Sequence, residues 1–173
     1  MAFCESTRAS RVYIEVMTRL ALLAISLVAA ACAGPGSLAG KSEADLRASL
    51  GAPAAEYPNA DGSRTLAFPQ GSFGPQTYMA EVAPGGTVRG VRPALGEDTF
   101  QRINPGMTRD EVLRLIGPPQ EAMDFPRQRE LSFEYRFRDA WGYPALFYVN
   151  FDPRGIVVSK LTRRIDPSPS RDR

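Results

Sequence analysis

Few residues in this chain are equipped for chemistry. Its 173 residues include no histidine and two cysteines, Cys4 and Cys32. Without histidine there is no Ser-His-Asp or Cys-His nucleophilic site and no imidazole to hold zinc, and two thiols cannot form a four-cysteine cage. Asp110 and Glu111 are adjacent on an expected helix and point in different directions. Asp152 falls in an expected turn, where an aspartate bonds its own backbone. No glycine pattern resembles a phosphate-cradling loop. The expectation is a chain with no catalytic residues, no metal, no cofactor and no small-molecule substrate. With 21 Lys+Arg against 19 Asp+Glu the net charge is +2, too weak a field to suggest nucleic acid as a partner. A composition that is 43% hydrophobic and 23% charged belongs to a folded chain.

Cys32 is the thiol with a recognisable setting. It ends an apolar run from Leu20 to Ala31 that follows Arg19. Twelve helical residues span about 18 Å, short of a bilayer's roughly 30 Å apolar core. That length suits the apolar region of a secretory signal. Ala29-Ala30-Ala31-Cys32 resembles a bacterial lipobox, although Ala29 stands where Leu or Val is more usual. The resemblance implies cleavage before Cys32 and acylation of its sulfur and amino group, with palmitate-type chains anchoring the chain to a membrane. The alternative is a signal cut after an A-x-A site, leaving Cys32 a free thiol. Ala33, rather than Asp, resembles the pattern forwarded to the outer membrane, facing the periplasm. Residues 1–31 are thus expected to be a signal peptide. Met17 is a better start than Met1, because Glu5 and Glu15 are odd in a signal leader. Cleavage removes Cys4 and leaves no second cysteine for a disulfide within the chain. Residues 32–40 read as the acylated cysteine and a tether.

The elements beyond the tether repeat. Gly40–Pro53 aligns without gaps on Gly106–Pro119, an offset of 66 residues. Each copy opens with a capping box, Ser42 with Asp45 and Thr108 with Glu111. Apolar positions follow at helical spacing, Leu46/Leu50 and Val112/Ile116. Gly51 and Gly117 suit left-handed C-caps, and Pro53 and Pro118-Pro119 bar continuation. Strands are expected at 65–68, 77–82 and 87–91 in the first copy, and at 131–137, 145–151 and 156–161 in the second. Turns at Ala83-Pro-Gly-Gly86 and Asp152-Pro-Arg-Gly155 close matching hairpins. A further amphipathic helix is expected over 97–103. The fold class is therefore α+β: a first, degenerate unit at 41–93 and a second at 94–164, each with one or two short helices on a three-stranded antiparallel meander. Residues 165–173 read as a disordered tail. Two bodies of this size bury too little surface to be secure alone, so the units are expected to pack together.

The stretch Ile103–Pro119, with Gly106, Met107, Thr108, Val112, Gly117, Pro118 and Pro119 in register, resembles the SmpA/OmlA (BamE-like) family of outer-membrane lipoproteins. The resemblance extends over about 97–162 and is weaker over 40–92. It implies a small helix-and-meander fold, a lipid anchor in the outer membrane, and a scaffolding role with protein partners in the outer-membrane β-barrel assembly machinery or envelope maintenance. A tandem pair also resembles the β-lactamase inhibitory protein architecture. That implies instead an inhibitor-like or sensor module holding a soluble periplasmic enzyme on its sheet face. For a contact surface the best candidate is the loop carrying Arg136, Arg138, Trp141 and Tyr143, residue types enriched in binding hot spots. Three readings of it stand open. It contacts a partner; or Trp141 folds back as a lid on the core while Arg136 and Arg138 are a solvated strand face; or Trp141 and Tyr143 sit among lipid headgroups.

Overall fold

The computed structural model describes residues 35–70 and 76–165. The leader, Cys32 and the tail from Asp166 onward lie outside these residues. A 3-10 turn at Pro35–Leu38 precedes the first helix. From Leu38 on, the chain forms one compact unit.

Both copies of the capping box form. Helix α1, Glu43–Leu50, begins where the Asp45 amide donates to Ser42 Oγ at 3.2 Å and the Ser42 amide donates back to Asp45 Oδ2 at 3.2 Å. Helix α3, Arg109–Ile116, begins the same way: the Glu111 amide reaches Thr108 Oγ1 at 3.2 Å and the Thr108 amide reaches Glu111 Oε2 at 2.7 Å. Between them, α2 spans Glu97–Gln101. The helix stops differ from expectation. Gly51 and Gly117 have φ of 85° and 81° but ψ of −162° and −174°, so neither adopts the left-handed helical cap. Each amide still bonds the carbonyl four residues back, and the chain leaves the helix extended.

Each copy then builds a four-stranded antiparallel sheet rather than the expected three. The first contains β1 (Ala55–Pro58), β2 (Arg64–Pro69), β3 (Thr77–Val82) and β4 (Val88–Pro93) in sequential order. The second contains β5 (Glu121–Phe125), β6 (Glu130–Arg138), β7 (Pro144–Phe151) and β8 (Val157–Arg164), again sequential. The six expected strands are β2–β4 and β6–β8. The two added ones, β1 and β5, are short edge strands with mixed polarity, held by pairing to β2 and β6 rather than by a buried face of their own. The copies share finer detail. A bulge interrupts β3–β4 between Glu81 and Val82 and β7–β8 between Asn150 and Phe151. Each helix lead-in bridges to the residue just before the last strand, Ser42 to Thr87 and Thr108 to Ile156. The expected turns close with Gly86 and Gly155 at φ of 81° and 77°. Ile165, placed in the tail by sequence, still donates to the Pro144 carbonyl at 2.9 Å.

Two clusters hold these elements. Leu46 from α1 packs with Leu66, Phe68, Ala80, Val82 and Val88 on one face of the first sheet. On its opposite face, Ala67 and Met79 join the larger cluster, which contains Val112 and Ile116 of α3, Phe100 and Ile103 from and just after α2, and Phe133, Tyr135, Phe147, Val149 and Phe151 of the second sheet. Helix α3 thus lies between the sheets, and α2 packs on the second sheet through Phe100. This explains why Leu66, Ala67 and Phe68 are buried in succession: a strand covered on both faces has no polar alternation. Phe100 stacks on Phe147 with centroids 3.8 Å apart and meets Phe137 edge-on at 4.8 Å. The seam is tight at Gly117, where a Cβ would lie 3.0 Å from Thr77 Cγ2 and 3.3 Å from Ala67 Cβ.

Candidate protein-binding surface

Alternation along β6 and β7 sends Phe133, Tyr135, Phe147 and Val149 inward, so Ser132, Glu134, Arg136, Tyr148 and Asn150 face the other way. No described helix covers that outer face. Leu146 also lies on this face but is buried, so the exposed apolar content comes from the margins: Met123 and Phe125 on β5 and Leu161 on β8, with Phe125 41% and Leu161 58% exposed. These three, with Ser132, Tyr148 and Asn150, line a shallow groove of about 400 Å³. Its middle is polar and internally bonded. The Tyr148 hydroxyl donates to Glu134 Oε2 at 2.9 Å, and Arg136 Nε donates to Glu134 Oε1 at 3.3 Å. Burial, then the Glu134 carboxylate, pushes the Tyr148 phenol above its ordinary pKa, with Arg163 opposing.

The β6–β7 hairpin forms the end of this sheet. Asp139 organises it, because its Oδ1 accepts the amides of Trp141 and Tyr143, both at 2.9 Å. Arg164 from β8 donates to Asp139 Oδ2 from Nε at 2.8 Å and from Nη2 at 2.5 Å, and its guanidinium lies 4.8 Å from the Tyr143 ring centroid. Burial works to raise the Asp139 carboxyl; the Tyr143 amide, Arg164 and the Trp141 amide outweigh it and hold the pKa below the usual range. Gly142 takes φ of 81°, and its amide closes the turn on the Asp139 carbonyl at 2.8 Å.

Each residue singled out from sequence has a definite place here. Trp141 is 81% exposed, so it does not fold back as a lid on the core. The core at that end is closed instead by Phe137 and Phe147 against Phe100. Tyr143 is 51% exposed on the same hairpin, and Arg138 Nη1 donates to the Gly142 carbonyl at 2.9 Å. Arg136 stands further along β6, tied to Glu134. The hairpin thus gathers Arg138, Trp141 and Tyr143, and Arg136 belongs to the sheet face. Cys32 lies outside the described residues. Sequence reasoning missed Met123, Phe125, Tyr148 and Leu161 as a surface. The available signal was the parity of Tyr148 and Leu161 against the inward aromatics; β5 offered no alternation.

The acids that suggested little chemistry have structural partners. Glu111 caps α3, and the thereby stabilised carboxylate is held below its ordinary pKa by the Thr108 amide and hydroxyl. Asp152 accepts the amides of Arg154 and Ile156, each at 2.9 Å. Among the described residues no group of three or more His, Cys, Asp or Glu is placed to hold a metal.

No protein-family model matches this chain. No curated protein matches it either. Among solved structures it is similar to a "putative beta-lactamase inhibitor protein" from Streptococcus mutans, at 14% identity and a TM-score of 0.30, over 70% of this chain and 82% of that one.

Proposed function

We propose that this chain is a non-catalytic protein-binding module, tethered through acylated Cys32 to the outer membrane and facing the periplasm, that acts as a scaffold in outer-membrane protein assembly or envelope maintenance. The observation carrying the binding role is Trp141, 81% exposed at the tip of a hairpin whose backbone Asp139 fixes. A large aromatic held in water by a rigid turn forgoes stabilisation that burial would supply, and it meets a partner with little ordering left to do. Tyr143 and Arg138 beside it are of the types that dominate interface energetics. The lipobox-like Ala29–Cys32 supports the tether, and the SmpA/OmlA resemblance of Ile103–Pro119 supports the assembly role.

A second reading has its own observation. The outer face of the second sheet, on which no described helix packs and where Phe125 and Leu161 are exposed at the margins, suits an inhibitor-like or sensor module that holds a soluble periplasmic enzyme. Photo-crosslinkers placed separately at positions 141 and 161 in intact envelopes discriminate the two. The scaffold reading expects adducts from position 141 to outer-membrane assembly components. Adducts confined to soluble periplasmic proteins, from either position, contradict it and favour the second reading. Acyl labelling of a Cys32→Ala variant tests the tether. Loss of label and of membrane fractionation is expected, and retention of both overturns it.

A further inference from the structure

At the seam between the repeats, three arginines from three elements line one cleft. Arg92 comes from the end of β4, Arg102 follows α2, and Arg114 lies on α3; Met107, Glu111 and Leu115 complete the walls of a space of about 360 Å³. Most arginines elsewhere in the described structure have carboxylate partners. Arg47 and Arg64 share Glu43 and Glu56, Arg89 bridges Asp61 and Glu81, and Arg164 holds Asp139. None of the three cleft arginines makes an ion pair among the described residues. Their contacts are with neutral groups: Arg92 Nη2 donates to the Leu115 carbonyl at 2.8 Å, Arg114 Nη1 to the Pro58 carbonyl at 2.7 Å, and the Arg114 guanidinium lies 5.7 Å from the Tyr57 ring centroid. The single acid of the cleft, Glu111, is committed to the Thr108 cap.

The second observation is an orphan. Arg92 Nη1 is buried and has no hydrogen-bond partner. A guanidinium carries five donors, and leaving one dry and unbonded costs about 1–3 kcal/mol or more. Burial, and then the like charge of Arg102, lower the Arg92 pKa, so the cation is disfavoured as it stands. The like-charge penalty between Arg92 and Arg102 is relieved by the arrival of an anion between the guanidinium groups. Three arginines against one glutamate leave a surplus of two positive charges, which matches a dianion better than a lone carboxylate.

We propose that the seam cleft binds a phosphate-class oxyanion through Arg92, Arg102 and Arg114. The site exists only because the repeats are joined, since β4 of the first supplies one arginine and the α2–α3 region of the second supplies the others. It is independent of the hairpin surface, and its occupancy ties the first sheet to α3.

Calorimetric titration of the full chain in detergent, at low salt, with inorganic phosphate and separately with the headgroup fragment glycerophosphoglycerol, tests this. Saturable binding at one site is expected, weakened about tenfold by Arg102→Gln, which removes no hydrogen bond of the Arg102 side chain in the structure. Arg92→Gln weakens it as well but also removes the bond to Leu115, so Arg102→Gln is the decisive variant. Arg154→Gln, at an exposed turn, leaves binding unchanged. Tighter binding of phosphate identifies a free dianion as the ligand, and tighter binding of the diester identifies a lipid headgroup; either sustains the site. No saturable binding of either probe, or equal affinity in wild type and Arg102→Gln, overturns it.

Discussion

The two sheets are copies of one plan placed in different surroundings. Each follows a capped eight-residue helix, runs its four strands in sequential order and carries a bulge before its last strand. The first sheet has α1 on one face and α3 of the other repeat on part of the opposite face, so its middle strand β2 buries three residues in a row. The second sheet has α2 and α3 on one face and no described helix on the other; β6 still buries Ser132 to Tyr135 in succession and β7 buries Ala145 to Phe147, so its outer face is accessible chiefly at Arg136, Tyr148, Asn150 and Leu161. The difference teaches that the first repeat is spent on building the body. The second, which carries the long aromatic strands and the Trp141 hairpin, presents it. Helix α3 mediates this division because it buries residues toward both sheets.

The sharpest way to break this comparison lies on β7, where neighbouring residues face opposite ways. Phe147 is 2% exposed and stacked on Phe100, whereas Tyr148 lies on the open face. Phe147→Ala is expected to cost about 3–5 kcal/mol in urea unfolding, and Tyr148→Ala roughly 1 kcal/mol, from its hydrogen bond to Glu134. Similar costs at the two positions mean that the outer face is covered after all.

A smaller effect separates the repeats at their helix stops. Gly51 and Gly117 share a backbone region that is essentially glycine-only, worth about 1–3 kcal/mol against alanine. A Cβ at Gly51 meets open space; at Gly117 it meets Thr77 and Ala67 across the seam. Gly117→Ala therefore loses about 1–3 kcal/mol more than Gly51→Ala. Equal losses show that the seam is looser than described.

The caps give the smallest effect and a pH dependence. Thr108→Ala and Ser42→Ala each cost roughly 1 kcal/mol. Asp45, held down chiefly by the Ser42 hydroxyl, and Glu111, held down chiefly by the Thr108 amide, both have lowered pKa values in the folded state. Groups depressed on folding contribute stability that is present above their unfolded values, about pH 4, and lost as pH falls through the lower folded values. The melting temperature of the wild type should fall with pH below about 4, and less steeply in the Ser42→Ala, Thr108→Ala double variant. Parallel profiles for the two proteins contradict this role for the capping acids.

What the sequence made legible was local. The capping boxes, the Pro–Gly turns and six strands follow from patterns spanning fewer than about ten residues, and their physics is local too. The edge strands β1 and β5 were not legible, because Pro58 and the polar Glu121 and Asp124 deny them a periodic apolar face. Their order is borrowed from the strands they pair with. The direction of Trp141 was equally hidden. Composition marked its loop as unusual, but the backbone that carries the side chain outward is fixed by Asp139, which takes the amides at 141 and 143. The arginine cleft lies furthest from sequence, since Arg92, Arg102 and Arg114 meet only when β4 and α3 are docked.

The central claim is that the Trp141 hairpin recognises a protein. Its most direct test is affinity purification of detergent-extracted, crosslinked envelopes carrying either wild-type protein or Trp141→Ala. Because the side chain is 81% exposed, the substitution should change stability by less than about 0.5 kcal/mol. The account predicts that outer-membrane assembly components co-purify with the wild type and are depleted several-fold with Trp141→Ala, while both proteins melt at the same temperature. Undiminished co-purification with the variant, or wild-type protein that brings down no assembly component, contradicts it.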